Sequence, residues 1–193
     1  MIAGILLAAG ASTRMRGRDK LLEDVDGNPL LSHVISVLEA SRLDSLHIVL
    51  PPQAEAPKRH ALLGARIPVI AADCATGMAA SLRAGLSSLP QEVDGAMVVL
   101  ADMPAVQATH VNRLIDRFQP HSIVRSVTPD GRPGHPVLFA RRYFDSLMAL
   151  KGDVGAKEIV RGAQGHVIDV VTTDEAATLD LDTPEDWAKW RSG

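Results

Sequence analysis

Short apolar runs alternate with stretches of helical periodicity along this chain, and that alternation constrains the fold more than any other feature. The run Ile2–Ala8 reads as a buried strand, and a glycine loop follows at once. Asn28-Pro29 reads as a helix start with proline in the first turn, and Leu30, Leu31, Val34, Ile35 and Leu38 follow at helical spacing. Strands are predicted at 46–51 and 66–72, a helix over 77–89, and a strand within 95–104 that stops at Pro104. Val111, Leu114, Ile115 and Phe118 mark the next helix. The second half is less regular, with strands expected at 122–127, 136–140 and 166–171 and helices at 143–150 and 155–161. A last helix starts near Thr183, which can cap it, with Pro184 in the first position and Glu185 and Asp186 at its positive end. The pattern predicts a mostly parallel sheet covered on both faces. The 193 residues suit a single domain over 1–193 with a sizeable core.

Charge and composition narrow the partners. A net charge of −3 gives no general attraction to nucleic acid or anionic membrane, and 3% aromatic residues leave little for base stacking. No segment has the roughly 18 apolar residues of a membrane helix. Cys74 is the only cysteine, so an internal disulfide and a Cys-based zinc site are excluded, which suits a reducing cytoplasm. The apolar start lacks a basic n-region and reads as a strand, not a signal peptide.

Against this acidic background, Arg14, Arg16, Arg18 and Lys20 crowd into seven residues just after the first strand. Glycines there let backbone N–H groups turn toward phosphate oxygens, and the carboxyl end of a strand is where open α/β sheets bind ligands. The loop is neither of two common phosphate motifs. Gly10 and Gly17 are seven apart and Lys20 is followed by Leu21, so it is not a P-loop; Gly10-Ala11-Ser12 fails the dinucleotide fingerprint.

The stretch LAAGASTRMRGRDKLL resembles the signature loop of the MobA-like nucleotidyltransferases, L-A-[AG]-G-x-S-x-R-M-G-x-x-K. GMAASLRAGL (77–86), VVLADMP (98–104), GRPGHPVLF (131–139), LKGDVGAKEIV (150–160) and LDLDTPEDW (179–187) resemble, in order, the branch containing molybdenum cofactor cytidylyltransferase. One departure is Arg16-Gly17, where the common spacing has glycine directly after Arg-Met.

The resemblance implies a Rossmann-like three-layer α/β/α nucleotidyltransferase fold (GT-A-like). It implies Mg²⁺-dependent transfer of CMP from CTP to molybdopterin or its molybdenum form, with pyrophosphate leaving. A recipient molybdoenzyme is a further implied partner. The alternatives are guanylyl transfer to the same cofactor, nucleotidyl transfer to another small phosphorylated acceptor, and a non-enzymatic cofactor chaperone.

Such transfer depends on positioning and charge neutralisation. By the resemblance, Ala8, Ala9, Gly10, Ser12, Arg14 and Lys20 cradle the nucleotide, with Arg14 and Lys20 catalytic; Arg16 and Arg18 read as solvated or steering charges. Asp102, just past a strand end, is the expected Mg²⁺ ligand and third catalytic residue, since Mg²⁺ binds through carboxylates and substrate phosphates. Asp180 and Asp182 share one strand face; both are candidate ligands, and Asp182 is equally suited to capping the last helix. Gly77 and Ser81 match positions near the nucleotide, or serve helix packing. Gly134-His135-Pro136 resembles the acceptor-side loop. Gly152 and Asp153 turn the chain into a helix whose N-terminus faces the acceptor, or only cap it. His33, His47, His60, His110, His121 and His166 lack metal-ligand spacing and read as structural or surface residues; Met15 is expected behind the loop. In the resembling family LAAG accompanies cytidylyl and LAGG guanylyl transfer, so Ala9 points to CTP.

Overall fold

The computed structural model describes residues 1–152, 156–163 and 165–192. In chain order the elements are β1 (Ile2–Leu7), β2 (Asp24–Val25), β3 (Asn28–Pro29), α1 (Leu30–Glu39), β4 (Ser45–Leu50), α2 (Pro57–Ala61) and β5 (Val69–Ile70). There follow α3 (Met78–Ser87), β6 (Gly95–Leu100), α4 (Ala108–Asp116), β7 (Ile123–Val127), β8 (Pro133–Ala140), α5 (Phe144–Met148), α6 (Lys157–Gly162), β9 (Val167–Val171) and α7 (Pro184–Ser192). Among the described residues, seven strands form one sheet in the order β5-β4-β1-β6-β8-β7-β9.

The period-two rule splits each central strand between two cores. Leu6, Ile48, Leu50, Met97, Val99 and Leu138 face one side, where α1, α4 and Trp187 of α7 pack. Their neighbours Ile5, Val49, Val98, Val137 and Phe139 face the other, against Leu82 and Leu86 of α3 and Leu147 of α5. Buried on both faces, the strands read as continuous apolar runs, as parallel sheets do. The result is the three-layer, mostly parallel architecture of Rossmann-like nucleotidyltransferases. Gly85 lets α3 approach β1: a Cβ there would lie 2.5 Å from Ile5 Cγ2.

Several local features depart from the sequence reading; one is the stretch 179–182, expected as a strand carrying Asp180 and Asp182 on one face, which lies in no strand. Asn28-Pro29 is not the helix start but pairs with Asp24–Val25 as a small antiparallel hairpin. Its turn is Asp26-Gly27, with φ of 52° and 84°, the Asp-Gly signal of a two-residue hairpin; α1 begins one residue later, at Leu30. The short helix α2 has no counterpart in the sequence reading, because five residues carry too little periodicity to register. Finally, β8 runs antiparallel to both β6 and β7. The loop joining β7 to β8, residues 128–132, is too short for a crossover, so a hairpin is the only connection available. Inserted between β6 and β7, β8 delivers its first residues to the edge where β1 and β6 end.

Candidate active site

Three chain segments converge at that edge. The parallel pairing of β1 and β6 aligns Leu7 with Leu100, so the loop from Ala8 and the loop carrying Asp102 leave the sheet side by side. The Leu181 N–H donates to the Asp102 carbonyl at 3.1 Å, which brings the Asp180–Asp182 stretch against both.

The β1 loop is a tight, partly left-handed path. Ser12 and Arg16 adopt φ of 51° and 53°, and Gly17 follows at 86°. Met15 is fully buried beneath the loop, as expected from the sequence. Open space surrounds Gly10, which leaves the backbone there approachable. Ala8 and Ala9 are buried, and the Ala9 methyl belongs to the core against Ile5 and Leu82. At the far end of the loop the Lys20 ammonium lies 2.6 Å from Asp102 Oδ2 and 2.6 Å from Asp182 Oδ1. Arg14 reaches the other Asp182 oxygen at 2.5 Å. Arg16 and Arg18 pair instead with the carboxylates of Glu185 and Glu23.

Two carboxylates around one ammonium shift the local proton equilibria. Burial pulls the Lys20 pKa down, but the charge and hydrogen bond of Asp102 and those of Asp182 outweigh it, so it lies above its ordinary value. Burial pushes Asp182 up; Lys20, then Asp180 and Arg14, overcome that and hold it below its ordinary value. Asp180 moves the other way, raised by burial, by its hydrogen bond to Asp182 and by the charges of Asp182 and Asp102.

The second Asp102 oxygen, Oδ1, is buried without a hydrogen-bond partner among the described residues. A buried, unpaired carboxylate oxygen beside two more carboxylates is a hard, anionic donor set, and it fits a hard divalent cation. Among the described residues, no three acidic, His or Cys side chains already close on one metal position. Magnesium does not require that, because one or two carboxylates plus substrate phosphates complete its shell.

Asp182 shares its position with a cap. Asp186 accepts from the backbone N–H groups of Asp182 and Thr183 at 3.2 and 2.8 Å, and Thr183 Oγ1 accepts from the Asp186 N–H at 3.1 Å. The start of α7 is thus fastened by Thr183 and Asp186, which leaves the Asp182 carboxylate to Lys20 and Arg14.

Beside this centre lies a cavity of about 830 Å³ between α3, α6 and the sheet face carrying β8. Its walls include Leu7, Leu82, Val98, Val137, Phe139 and Val167; Arg125, Lys157 and Arg161 also line it. His135 and Gly134 line it from β8. Burial lowers the His135 pKa, against a backbone hydrogen bond at Val98 and the charge of Asp102, so the imidazole is held toward its neutral form. His135 Nδ1 is buried without a partner among the described residues, and the peptide between His135 and Pro136 is cis. Gly134 has a packing reason of its own: a Cβ would meet the Ala177 carbonyl oxygen at 1.7 Å.

The remaining sequence candidates fall on the α3 side. Gly77 precedes α3 with φ of 116°, and Ser81 is buried on that helix. Gly152, at φ 61°, accepts from the Ala79 N–H at 3.1 Å, tying that segment to the start of α3. Asp153 lies outside the described residues. The sequence reading missed Arg59, which reaches the loop from α2, and the cavity cations Arg125, Lys157 and Arg161. Arg59 stands in no recognisable motif; α2 follows β4, which pairs with β1, and that topology brings it to the loop.

The profile of a family described as MobA-like NTP transferase domain matches residues 4–168. The purine catabolism protein PucB of Bacillus subtilis is 28% identical, covering 96% of this chain and 94% of its own length. The molybdenum cofactor guanylyltransferase of Burkholderia vietnamiensis is 36% identical over 68% of this chain and 64% of its own length. The crystal structure of Rv0371c from Mycobacterium tuberculosis superposes with a TM-score of 0.84 at 30% identity, covering 100% of this chain and 98% of that one. A second structure of Rv0371c, in complex with manganese, gives a TM-score of 0.79 at 29% identity, with coverage of 97% and 96%.

Proposed function

This chain belongs to the MobA-like NTP transferase family and is a nucleotidyltransferase, and from that premise we propose that it transfers CMP from CTP to the terminal phosphate of molybdopterin or its molybdenum form. The observation that carries the reading is the Lys20 ammonium held 2.6 Å from both Asp102 and Asp182, at the mouth of a glycine loop after β1. A cation and carboxylates packed together at a phosphate loop serve one task well: neutralising a polyphosphate whose charge redistributes during transfer.

In this reading an acceptor phosphate oxygen attacks the α-phosphorus of the nucleotide. A new P–O bond forms there, the bond to the β-phosphate bridging oxygen breaks, and pyrophosphate departs with that bond's electron pair. The backbone around Ala8, Ala9, Gly10 and Ser12 cradles the triphosphate, while Arg14 and Lys20 offset the charge that grows on the leaving pyrophosphate. Asp102, with Asp182 and Asp180, would hold Mg²⁺, which supplies charge neutralisation of the phosphate oxygens when bound. The manganese complex of Rv0371c supports a divalent metal for a protein of this shape. Gly77 and Ser81 border the base.

Gly134, His135, Pro136, Gly152 and Asp153 belong to the acceptor side. The apolar cavity next to His135 suits the body of a ring system, and Lys157 at its wall suits an anionic group on it, while Arg125 and Arg161 are paired with Asp169 and Glu158. Guanylyl transfer is the second reading, favoured by the name of the Burkholderia vietnamiensis relative; Ala9, packed into the core as a methyl where the guanylyl pattern has glycine, favours CTP. The test is pyrophosphate release from Mg²⁺ with CTP, GTP or ATP and molybdopterin or molybdenum cofactor. CTP-dependent release is expected. A GTP preference would overturn the cytidylyl assignment, and no release with any acceptor form would overturn the acceptor.

A further inference from the structure

Arg59 is charged, 4% exposed, and sits on α2, well away in sequence from every motif of the site. Among the described residues its guanidinium makes four hydrogen bonds, all to the β1 loop. Nε and Nη2 grip the two Asp19 oxygens at 2.7 and 2.8 Å. Nη1 donates to the Ala8 carbonyl at 2.8 Å, and Nη2 also reaches Ser12 Oγ at 3.2 Å. The same Asp19 accepts from the Leu21 N–H at 3.1 Å, and Ser12 Oγ accepts from the Lys20 N–H at 3.3 Å. One planar fork therefore ties the start of the loop, its middle and the turn that carries Lys20.

The loop needs such a tie. Ser12 sits in the left-handed region, which a non-glycine residue occupies only when its surroundings impose it. A Cβ added at Gly10 or at Gly17 would meet no atom within 4 Å, so beyond the buried Met15 beneath the loop the glycine turns are held by hydrogen bonds. The guanidinium itself is spent on Asp19 and shut away from solvent. It offers no free charge to a phosphate, so it cannot act by contact.

We infer that Arg59 is a positioning residue: through Asp19 and Ser12 it fixes the phosphate loop, and with it the Lys20 turn, in the shape that accepts a nucleoside triphosphate. The inference rests on the nucleotide reading of the site. Lysine at 59 would keep the charge but lose the fork that spans both Asp19 oxygens and the Ala8 carbonyl, so charge alone does not suffice.

The experiment uses the full chain with three variants, Arg59→Lys, Arg59→Met and Asp19→Asn, and the double variant Arg59→Met with Asp19→Asn. The dissociation constants of Mg-CTP and Mg-GTP are measured by calorimetry, beside thermal melting. Each single variant is expected to weaken the better-bound nucleotide about tenfold or more, the scale on which loop misplacement acts. The double variant should be no weaker than the worse single one, since both cut the same tie. A purely structural Arg59 would lower the melting temperature and leave nucleotide affinity of the folded protein unchanged, which overturns the inference. If Arg59→Met fails to fold, Asp19→Asn decides: normal affinity there overturns the inference, and weakened affinity supports it. Additive losses in the double variant also overturn it. Wild-type protein that binds no nucleoside triphosphate would instead overturn the nucleotide reading, and the inference with it.

Discussion

At the β1 loop, charge does the organising: Lys20 and Arg14 meet Asp102 and Asp182 within 2.6 Å, and Arg59 with Asp19 braces the loop from behind. In the neighbouring cavity the walls are Leu, Val and Phe, the imidazole of His135 is held toward neutral, and Gly134 is fixed by how closely β8 passes Ala177. The contrast teaches how one site handles two kinds of substrate surface. A polyphosphate is held by fixed charges that strengthen at low dielectric, whereas an acceptor body is held by shape and apolar burial. Damage to the first region should therefore appear as lost turnover, and damage to the second as lost acceptor affinity or stability.

Lys20→Ala puts the most strain on this division. Losing a charge aimed at the leaving pyrophosphate should cost about 3 kcal/mol, roughly a hundredfold in kcat/KM. Unchanged kcat/KM would remove Lys20 from the phosphate machinery. Gly134→Ala tests the other region. A Cβ 1.7 Å from a backbone oxygen cannot be absorbed by a side-chain rotation, so β8 must shift, at a cost on the order of 1–3 kcal/mol in stability. Denaturant unfolding reads that loss, and a rise in acceptor KM larger than in nucleotide KM is expected with it. Ala9→Gly should act more gently, lowering the CTP-to-GTP ratio of kcat/KM by roughly threefold to tenfold, because the loop gains freedom that alters fit by a fraction of an ångström. An unchanged ratio would show that base choice lies elsewhere.

The smallest effect concerns pH. The Asp180 carboxyl is raised in the fold by burial and by Asp182 and Asp102. The folded state therefore binds that proton more tightly than the unfolded chain, and the resulting stability grows as pH falls through the folded pKa. Above it, the ionised carboxylate is a burden. Asp180→Asn should accordingly raise the metal-free melting temperature at pH 7 to 8, and the gain should shrink as pH falls toward the ordinary aspartate range near pH 4. A gain that grows in acid would contradict the sign.

The same two regions differ in how far the sequence discloses them. Strand β1, its glycine loop and Asp102 are legible because each follows from local pattern: an apolar run, turn residues, a carboxylate at a strand end. Helices α1, α3 and α4 follow from periodicity in the same way. The antiparallel course of β8 is not legible, because an apolar strand carries no mark of direction; only the short loop to β7 dictates it. Arg59 is invisible for a related reason, since its partners Ala8, Ser12 and Asp19 lie 40 or more residues away and no local spacing encodes such a meeting. The Asp26-Gly27 turn is legible in principle but is outweighed by the pull of Pro29 as a helix start.

Everything proposed for turnover depends on Asp102 and Lys20 forming one phosphate-and-metal centre at the ends of β1 and β6. The direct measurement is pyrophosphate release by Asp102→Asn across a Mg²⁺ titration, beside Mn²⁺ binding to the variant followed by electron paramagnetic resonance. A shared centre predicts a loss of about a hundredfold or more in turnover, consistent with one misplaced charge-stabilising group, together with weakened Mn²⁺ binding and an unchanged fold by circular dichroism. Normal turnover at low Mg²⁺, with Mn²⁺ bound as tightly as in the wild type, would contradict it and make Asp102 a turn residue.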